Sequence, residues 1–399
     1  TLEQKLFQDH YKYYSEIGIE TIKQQSGQVE QVSLDYQGRV IYELLQNAFD
    51  TAEQNILVQV IGNSLYVAND GIKFNYIANY DYKNGTSKRG DFQSLCSIST
   101  STKTVSKSIG NKGVGFKSVF SIAKDGYVNI FTKGEIHLDK IQTEENISFR
   151  IYDSFKDVSN LPTEFDKTII EIITNKIKLV QKERSDRGVP GYYFPLHIER
   201  EDDFIKKLFD DGFVTVIEIP FQNKEEVKNL FEEIEKIHFE FIQLKHKDYP
   251  NSFAINFVYD DQEYTKSITK NSRRFFSALV ENDEIKKLAK EAGVLIEKPE
   301  IAFLIKDKPD GLIYNYLPTQ VASPFKYVDF HGDFHTTVDR KSINFDGKIG
   351  NYNRALYKAC IELYLSVLKN FVYSEFEVSL NCKFVKNHSY RVRNFKWEL

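Results

Sequence analysis

The sequence is unusual first for the sulfur-containing residues that it lacks. It contains no methionine in 399 residues and only three cysteines, Cys96, Cys360 and Cys382. A natural chain of this length carries several methionines, so their absence indicates a fragment, a methionine-free design or a sequence from which modified methionines were omitted. Few and widely spaced cysteines exclude a disulfide scaffold and fit a reducing cytoplasm. If modified methionines were omitted, the spacing of residues inside one motif is more informative than the distance between two motifs.

Long apolar runs, metal-binding cysteine pairs and a strong net charge are also missing. No run approaches the roughly 18 apolar residues that span a bilayer, and the first residues contain no apolar signal segment. No CxxC pair or His/Cys cluster indicates a zinc site. The net charge of −4 provides no overall basic field, so nucleic-acid binding is left open only through a local groove. We expect a soluble cytoplasmic protein without a membrane partner.

The composition that is present supports globular domains with substantial cores. Hydrophobic residues make up 41% of the chain, which includes 31 Phe and 24 Tyr. The length predicts two or three domains. The predicted secondary structure changes near residue 222, where a series of strands ends and a charged amphipathic helix follows. We therefore predict one domain over residues 1–222 and a second, ending in an apolar helix, over residues 223–399.

A helix predicted over residues 36–54 carries three polar residues with helical spacing. Glu43, Asn47 and Asp50 stand at positions i, i+4 and i+7, which places their side chains on one face. Apolar residues occupy the other faces and would pack the helix onto a sheet. Taken alone, this pattern is the ordinary pattern of a solvated helix face.

Strands and a turn follow the helix. Strands are predicted over residues 56–61 and 64–68, which are separated by Gly62-Asn63, a two-residue hairpin signal. The turn Asn69-Asp70-Gly71 closes the second strand, although turns of this composition are common. Further along, the β-branched run over residues 168–173 predicts another strand.

A glycine-rich run provides the clearest sign of an anion site. Gly110, Gly113 and Gly115 allow the backbone to approach an anion closely, and a helix predicted over residues 114–122 would favour negative charge at its start. Lys112 and Lys117 add positive charge. The run is neither a Walker A loop nor a dinucleotide-binding fingerprint. A flexible linker is the alternative interpretation, and residues 99–111 before it are predicted to form a mobile loop.

The order of these elements resembles the GHKL ATPases, the superfamily of gyrase, the ninety-kilodalton heat-shock chaperone, histidine kinases and MutL. The resemblance extends over about residues 36–122. Within the superfamily, residues 43–50 and the run over residues 101–120 look most like the sacsin-like and MORC-like branch. It implies an α/β fold: a two-layer Bergerat-type sandwich with helices on one face of a mixed sheet. An α/β domain similar to the ribosomal S5-like transducer would follow.

The resemblance also implies a role for each matching residue, with ATP and Mg²⁺ as cofactors. Glu43 would be the general base, Asn47 would coordinate Mg²⁺ and Asp50 would lie near the adenine side of the pocket. The turn Asn69-Asp70-Gly71 would contact adenine. The family places Asp where this chain has Asn69, so either Asn69 or Asp70 could be the contact. The phosphates would be held by Lys103, Gly110, Gly113, Val114, Gly115, Phe116 and Lys117.

A segment of the second domain would complete the site. Residues 332–343 are similar to a segment of sacsin-like proteins, and relatives use a basic residue there to sense the terminal phosphate. Arg340 is the candidate and Lys341 the second choice, while an exposed basic pair in a loop is the alternative.

We therefore predict a Mg²⁺-dependent ATPase whose slow turnover drives lid closure and an ATP-dependent homodimer. The chain would be the motor part of a larger protein, chaperone-like or active in bacterial antiviral defence, with further domains or a partner protein. Two other classes remain open: an ATP-binding scaffold without significant turnover, and a nucleic-acid-directed machine.

Overall fold

The computed structural model describes residues 2–35, 38–84, 89–97, 115–138, 141–199, 202–250, 252–259, 262–267, 274–296, 298–337 and 339–378. The chain divides into two compact units. The described part of the first unit lies within residues 2–235 and 252–267, and that of the second within 236–250 and 274–378. The prediction that residues 1–222 bind ATP and residues 223–399 form a transducer stays a prediction.

The first unit combines helices with a large mixed sheet. Its helices are α1 (Leu2–Glu16), α2 (Ile19–Asp35), α3 (Val40–Thr51), α4 (Asp91–Leu95), α5 (Lys167–Gln181), α6 (Asp203–Asp210) and α7 (Lys224–Ile234), with a 3-10 helix at Gly115–Ser121. Its strands are β1 (Asn55–Ile61), β2 (Ser64–Asn69), β3 (Phe74–Ile77), β4 (Tyr127–Leu138), β5 (Ile141–Tyr152), β6 (Ser154–Phe155), β7 (Val189–Pro190), β8 (Leu196–His197), β9 (Thr215–Pro220), β10 (Ala254–Tyr259) and β11 (Gln262–Ser267).

Nine of these strands form one sheet in the order β11-β10-β1-β2-β9-β4-β5-β8, with β3 paired to β4, and β6 pairs with β7 in a separate two-stranded sheet. Strand β1 runs parallel to β10 and antiparallel to β2, so the sheet is mixed. The predicted hairpin is confirmed, with Ile61 opposite Ser64 across the turn at Gly62, where φ is 59°. Glycine adopts this left-handed conformation without the steric cost that a side chain would impose.

Both faces of the sheet contribute to the core. Leu57, Tyr66 and Val216 pack with Ile205 and Leu208 of α6 on one face. Successive side chains of a strand point to opposite faces, so the alternate positions of β1 and β2 belong to the other face. Those positions, at Ile56, Val58, Leu65 and Val67, are also buried. The predicted α/β class is confirmed, and α6 adds cover to the second face.

The prediction of a strand over residues 168–173 is wrong, because these residues lie in α5. The Asp166 side chain caps this helix by accepting the Ile169 N–H at 2.9 Å. Ile169, Ile173 and Ile177 recur every four residues and are buried. The short β-branched run is typical of a strand, but the longer helical period and the cap determine the structure.

The second unit is also an α/β fold. Its described strands β12 (Phe275–Leu279), β13 (Glu300–Ile305), β14 (Leu312–Asn315), β15 (Leu317–Ala322) and β16 (Val328–Gly332) form one sheet in the order β12-β13-β16-β14-β15. Its helices are α8 (Phe239–Lys245), α9 (Asp283–Glu291) and α10 (Gly347–Val378). Buried residues of α10, such as Tyr352 and Leu356, pack against Ile301 and Phe303 of the sheet in one core.

None of the helices in the described residues is long and apolar enough to cross a membrane.

Candidate functional site

Helix α3 carries the predicted polar stripe, but its first member does not face solvent. Glu43 is only 3% exposed and lies in the first turn, where a helix N-terminus favours negative charge. Asn47 and Asp50 are half-buried. The apolar residues of α3 are buried on nearly every side of the helix. A buried carboxylate in a packed helix excludes the interpretation of α3 as an ordinary solvated face.

The last glycine of the glycine-rich run lies directly against the Glu43 carboxyl group. Gly115 begins the 3-10 helix, which packs on α3. A Cβ atom at Gly115 would lie 1.7 Å from Oε2 and 2.4 Å from Cδ of Glu43. Only glycine therefore leaves room for the Glu43 side chain in this position. The tertiary structure brings Glu43 of the helix motif and Gly115 of the glycine run together at this carboxyl group.

One polar atom of α3 and one of the 3-10 helix are buried and lack a hydrogen-bond partner within the described part of the chain. They are Oε1 of Glu43 and Oγ of Ser118. A buried polar atom without a partner is costly, by roughly 1–3 kcal/mol, and such atoms concentrate at sites that bind ligands or water. Each of the two atoms therefore suits a contact with a polar ligand or an ordered water.

The turn after β2 is fastened to the opposite end of α3. Gly71 has φ +94°, and a Cβ there would lie 2.4 Å from the carbonyl oxygen of Thr51, the last residue of α3. The Ile72 N–H donates to this same carbonyl at 2.9 Å. The turn thus needs glycine both for its conformation and for its close approach to the helix. Glu43 is at the contact with Gly115, and Asp50 precedes Thr51, which contacts Gly71. Along the axis of α3, Glu43 and Asp50 are about 10 Å apart.

Asp70 and Asn69 have different environments within this turn. The Asp70 carboxylate accepts the backbone N–H groups of Glu53, Gln54 and Asn55 at 2.8, 3.0 and 2.9 Å. It therefore fastens the chain between α3 and β1. Asn69 is buried, and its Nδ2 donates to the Asp70 carbonyl oxygen at 2.9 Å. This bond directs the amide oxygen of Asn69 away from that carbonyl.

Lys117 is held inside the protein rather than in solvent. Its Nζ donates to the carbonyl oxygen of Leu95 at the end of α4 and lies 4.0 Å from the centroid of the Tyr192 ring. Burial lowers the pKa of Lys117 to about 8, because an ammonium group loses hydration there. Its neighbour Cys96 is also buried, which raises the pKa of that thiol to about 12. The predicted phosphate contact of Lys117 stays a prediction.

The depressed pKa of Lys117 predicts a stability that rises with pH. In the unfolded chain the ammonium keeps its proton up to about pH 10.5, whereas the folded protein releases it from about pH 8. The unfolded state therefore binds more protons in this window, and the free energy of unfolding should increase by about 2 kcal/mol between pH 8 and pH 9.5. Denaturant unfolding at both pH values, for the wild type and a Lys117→Met variant, measures this increase. The variant should lose it.

The matched control for that measurement is Lys124→Met, since Lys124 is exposed. This variant should keep the pH dependence of the wild type. If Lys117→Met and the wild type show the same change between the two pH values, the buried ammonium does not control stability.

The remaining predicted site residues fall into three groups. Phe116 is half-buried in the 3-10 helix beside Lys117. Arg340 and Lys341 belong to the second unit, between β16 and α10, where the Lys341 N–H donates to Oδ1 of Asp339 at 3.1 Å. Lys103, Gly110, Gly113 and Val114, with the predicted loop at 99–111, lie outside the described residues.

The predicted helix after the glycine run is present over Gly115–Ser121, but it is a 3-10 helix. Ser118 was not among the predicted site residues. Residues three apart share one face of a 3-10 helix, as they also do in an α-helix. Its position three residues after Gly115 is the signal that could have indicated it.

The donor set suits a magnesium ion better than a zinc ion. Within the described ranges, no cluster of three His, Cys, Asp or Glu side chains could hold a metal on its own. Mg²⁺ commonly takes one or two oxygen ligands from the protein and completes its shell with water and substrate phosphates. The amide oxygen of Asn47, one turn after Glu43, is an oxygen donor of this kind. These residues therefore fit a magnesium ion that arrives with a phosphate ligand.

No protein-family model and no curated protein matches the chain. Among solved structures, the chain is similar to the ATPase region of Saccharomyces cerevisiae topoisomerase II, with 11% sequence identity, 76% of each chain covered and a TM-score of 0.37. It is also similar to that region bound to ICRF-187 (dexrazoxane), with 11% identity, 76% of each chain covered and a TM-score of 0.39. Similarity at this level does not assign an activity to the chain.

Proposed function

We propose that the first unit binds ATP with Mg²⁺ and hydrolyses it slowly, as an ATPase of the GHKL type. One observation carries this proposal: Glu43 is buried, Gly115 abuts one of its carboxyl oxygens, and the other oxygen has no partner within the described residues. A carboxylate in such a position suits a general base that takes a proton from water. An ordinary structural glutamate would have its buried oxygens satisfied.

The other residues of α3 and of the turn would bind the nucleotide. Asn47 would supply an amide oxygen to Mg²⁺, which neutralises charge on the phosphates when it is bound. Asn69 would offer its amide oxygen to the amino group of adenine, since the Asp70 carboxylate is already occupied by backbone N–H groups. Asp50 and Gly71 would complete the adenine side. The seven residues predicted from Lys103 to Lys117 would surround the phosphates.

The wider cycle belongs to the same proposal. Arg340, with Lys341 as second choice, would sense the terminal phosphate from an S5-like second domain. Lid closure over ATP would drive a homodimer, and the chain would serve as the motor of a sacsin-like or MORC-like protein. These parts rest on the resemblance of the sequence motifs.

The experiment that tests ATP binding compares the wild type with an Asn47→Ala variant. Isothermal titration measures the Kd for ATP with Mg²⁺ and with EDTA. Mg²⁺ should tighten binding to the wild type by about tenfold or more, which corresponds to about 1.4 kcal/mol. The variant should lose this gain, because it lacks the amide ligand.

Gln54→Ala is the matched control, since it removes the same chemical group from an exposed position just after α3. It should bind ATP as the wild type does. A wild-type protein that binds no ATP would refute the proposal. An Asn47→Ala variant that keeps the full Mg²⁺ effect would refute the metal role of Asn47.

A further inference from the structure

Two buried side-chain oxygens, one in α3 and one in the 3-10 helix that packs on it, lack a hydrogen-bond partner within the described residues. They are Oε1 of Glu43 and Oγ of Ser118, whose residues are 3% and 0% exposed. Two such atoms would cost the fold several kcal/mol if both stayed dry. The role in turnover inferred from them rests on the proposed function.

Ser118 stands three residues after Gly115 in the 3-10 helix. Residues three apart in a 3-10 helix are eclipsed and lie about 6 Å apart along the axis. The Cβ direction of Gly115 leads straight to the Glu43 carboxyl group. Ser118 therefore occupies the face of the helix to which Gly115 belongs, one turn further along.

We propose that Ser118 is a positioning residue for Glu43, acting through one buried water that contacts Ser118 Oγ and Glu43 Oε1. Buried waters typically make about three hydrogen bonds to polar groups that would otherwise be unsatisfied. The terminal torsion of a glutamate is soft, so its carboxylate needs outside contacts to hold one orientation. Gly115 limits Oε2 by close contact, and the water holds Oε1.

The first arm of the test is a crystal structure of the ligand-free protein at a resolution that shows ordered water. We expect one water within hydrogen-bond distance of both Ser118 Oγ and Glu43 Oε1, and its loss in a Ser118→Ala variant. A wild-type structure without that water, or with the two side chains pointing apart, would overturn the inference. This arm does not depend on turnover.

The second arm measures steady-state ATP turnover. Ser118→Ala should lower kcat by roughly tenfold, the effect of one hydrogen bond to a charged group, while KM and the Kd for ATP stay unchanged. In a Glu43→Gln background, the same substitution should have no further effect on kcat, because Ser118 acts through the carboxylate. Equal losses in both backgrounds, or no loss in the wild-type background, would overturn the inference.

Ser121→Ala is the matched control for both arms. Ser121 lies in the same 3-10 helix, is exposed, and donates its hydroxyl to the Ser118 carbonyl oxygen at 2.7 Å. Its removal should leave the bridging water and kcat unchanged. A wild-type protein that lacks ATPase activity would refute the proposed function, and the crystallographic arm would still decide whether the water joins Ser118 to Glu43.

Discussion

Replacing Glu43 with glutamine should lower ATP turnover by about 10²- to 10⁴-fold, the usual contribution of a general base. Glutamine has nearly the same shape, so the buried position in α3 stays filled. It cannot take a proton from water, and it therefore removes the function that the proposal assigns to the carboxylate. The affinity for ATP should stay close to that of the wild type. Phosphate release and isothermal titration measure the two quantities separately.

A second buried glutamate offers a matched control for this substitution. Glu218 of β9 is 4% exposed and accepts hydrogen bonds from Tyr66 and Asn129 at 3.0 and 2.8 Å. Glu218→Gln should leave turnover unchanged and lower only stability, because an amide donor would face other donors. If Glu43→Gln binds ATP normally and hydrolyses it as fast as the wild type, Glu43 is not the base. If wild-type turnover is no higher than the variant's and both are negligible, the protein is not an ATPase.

Replacing Gly115 with alanine should reduce turnover by about 100-fold or more. The new methyl group would stand 1.7 Å from Oε2 of Glu43, so the carboxyl group must leave its position. A shift of about 1 Å at a reacting group is enough for a loss of this size. Because Glu43 is buried, its carboxyl group has little room to move away from the new methyl group. The protein should therefore lose stability as well. Turnover and thermal unfolding of the same preparation measure both effects.

Two further variants separate this contact from general damage. Gly18→Ala is the matched control, since a Cβ at Gly18 meets nothing within 4 Å and Gly18 does not require a left-handed backbone. It should fold and turn over ATP normally. Glu43→Asp shortens the acid by one methylene, so Gly115→Ala should destabilise the Glu43→Asp protein less than the wild type. Equal destabilisation in the two backgrounds would show that the clash lies elsewhere.

Much of the local structure could be predicted because its causes are local. The hairpin of β1 and β2 follows from the Gly62-Asn63 turn signal between two predicted strands, and α3 follows from helical spacing. The strand predicted at residues 168–173 is wrong for a local reason too, since this six-residue window is too short to reveal the helical period of α5. The helix predicted after the glycine run is a 3-10 helix that packs on α3, and the period along the chain did not distinguish the two types of helix.

The sequence by itself determined which residues could carry the chemistry. It placed Glu43, Asn47 and Asp50 on one helical face, and it put glycines where backbone must approach other groups. Burial and partners could not be read from it, because they depend on residues far apart in the chain. Only the tertiary structure decided that Glu43 is enclosed, that Gly115 abuts its carboxyl group, and that Asp70 is occupied by backbone N–H groups. These features depend on packing distances of a few ångströms, which the spacing of residues along the chain does not specify.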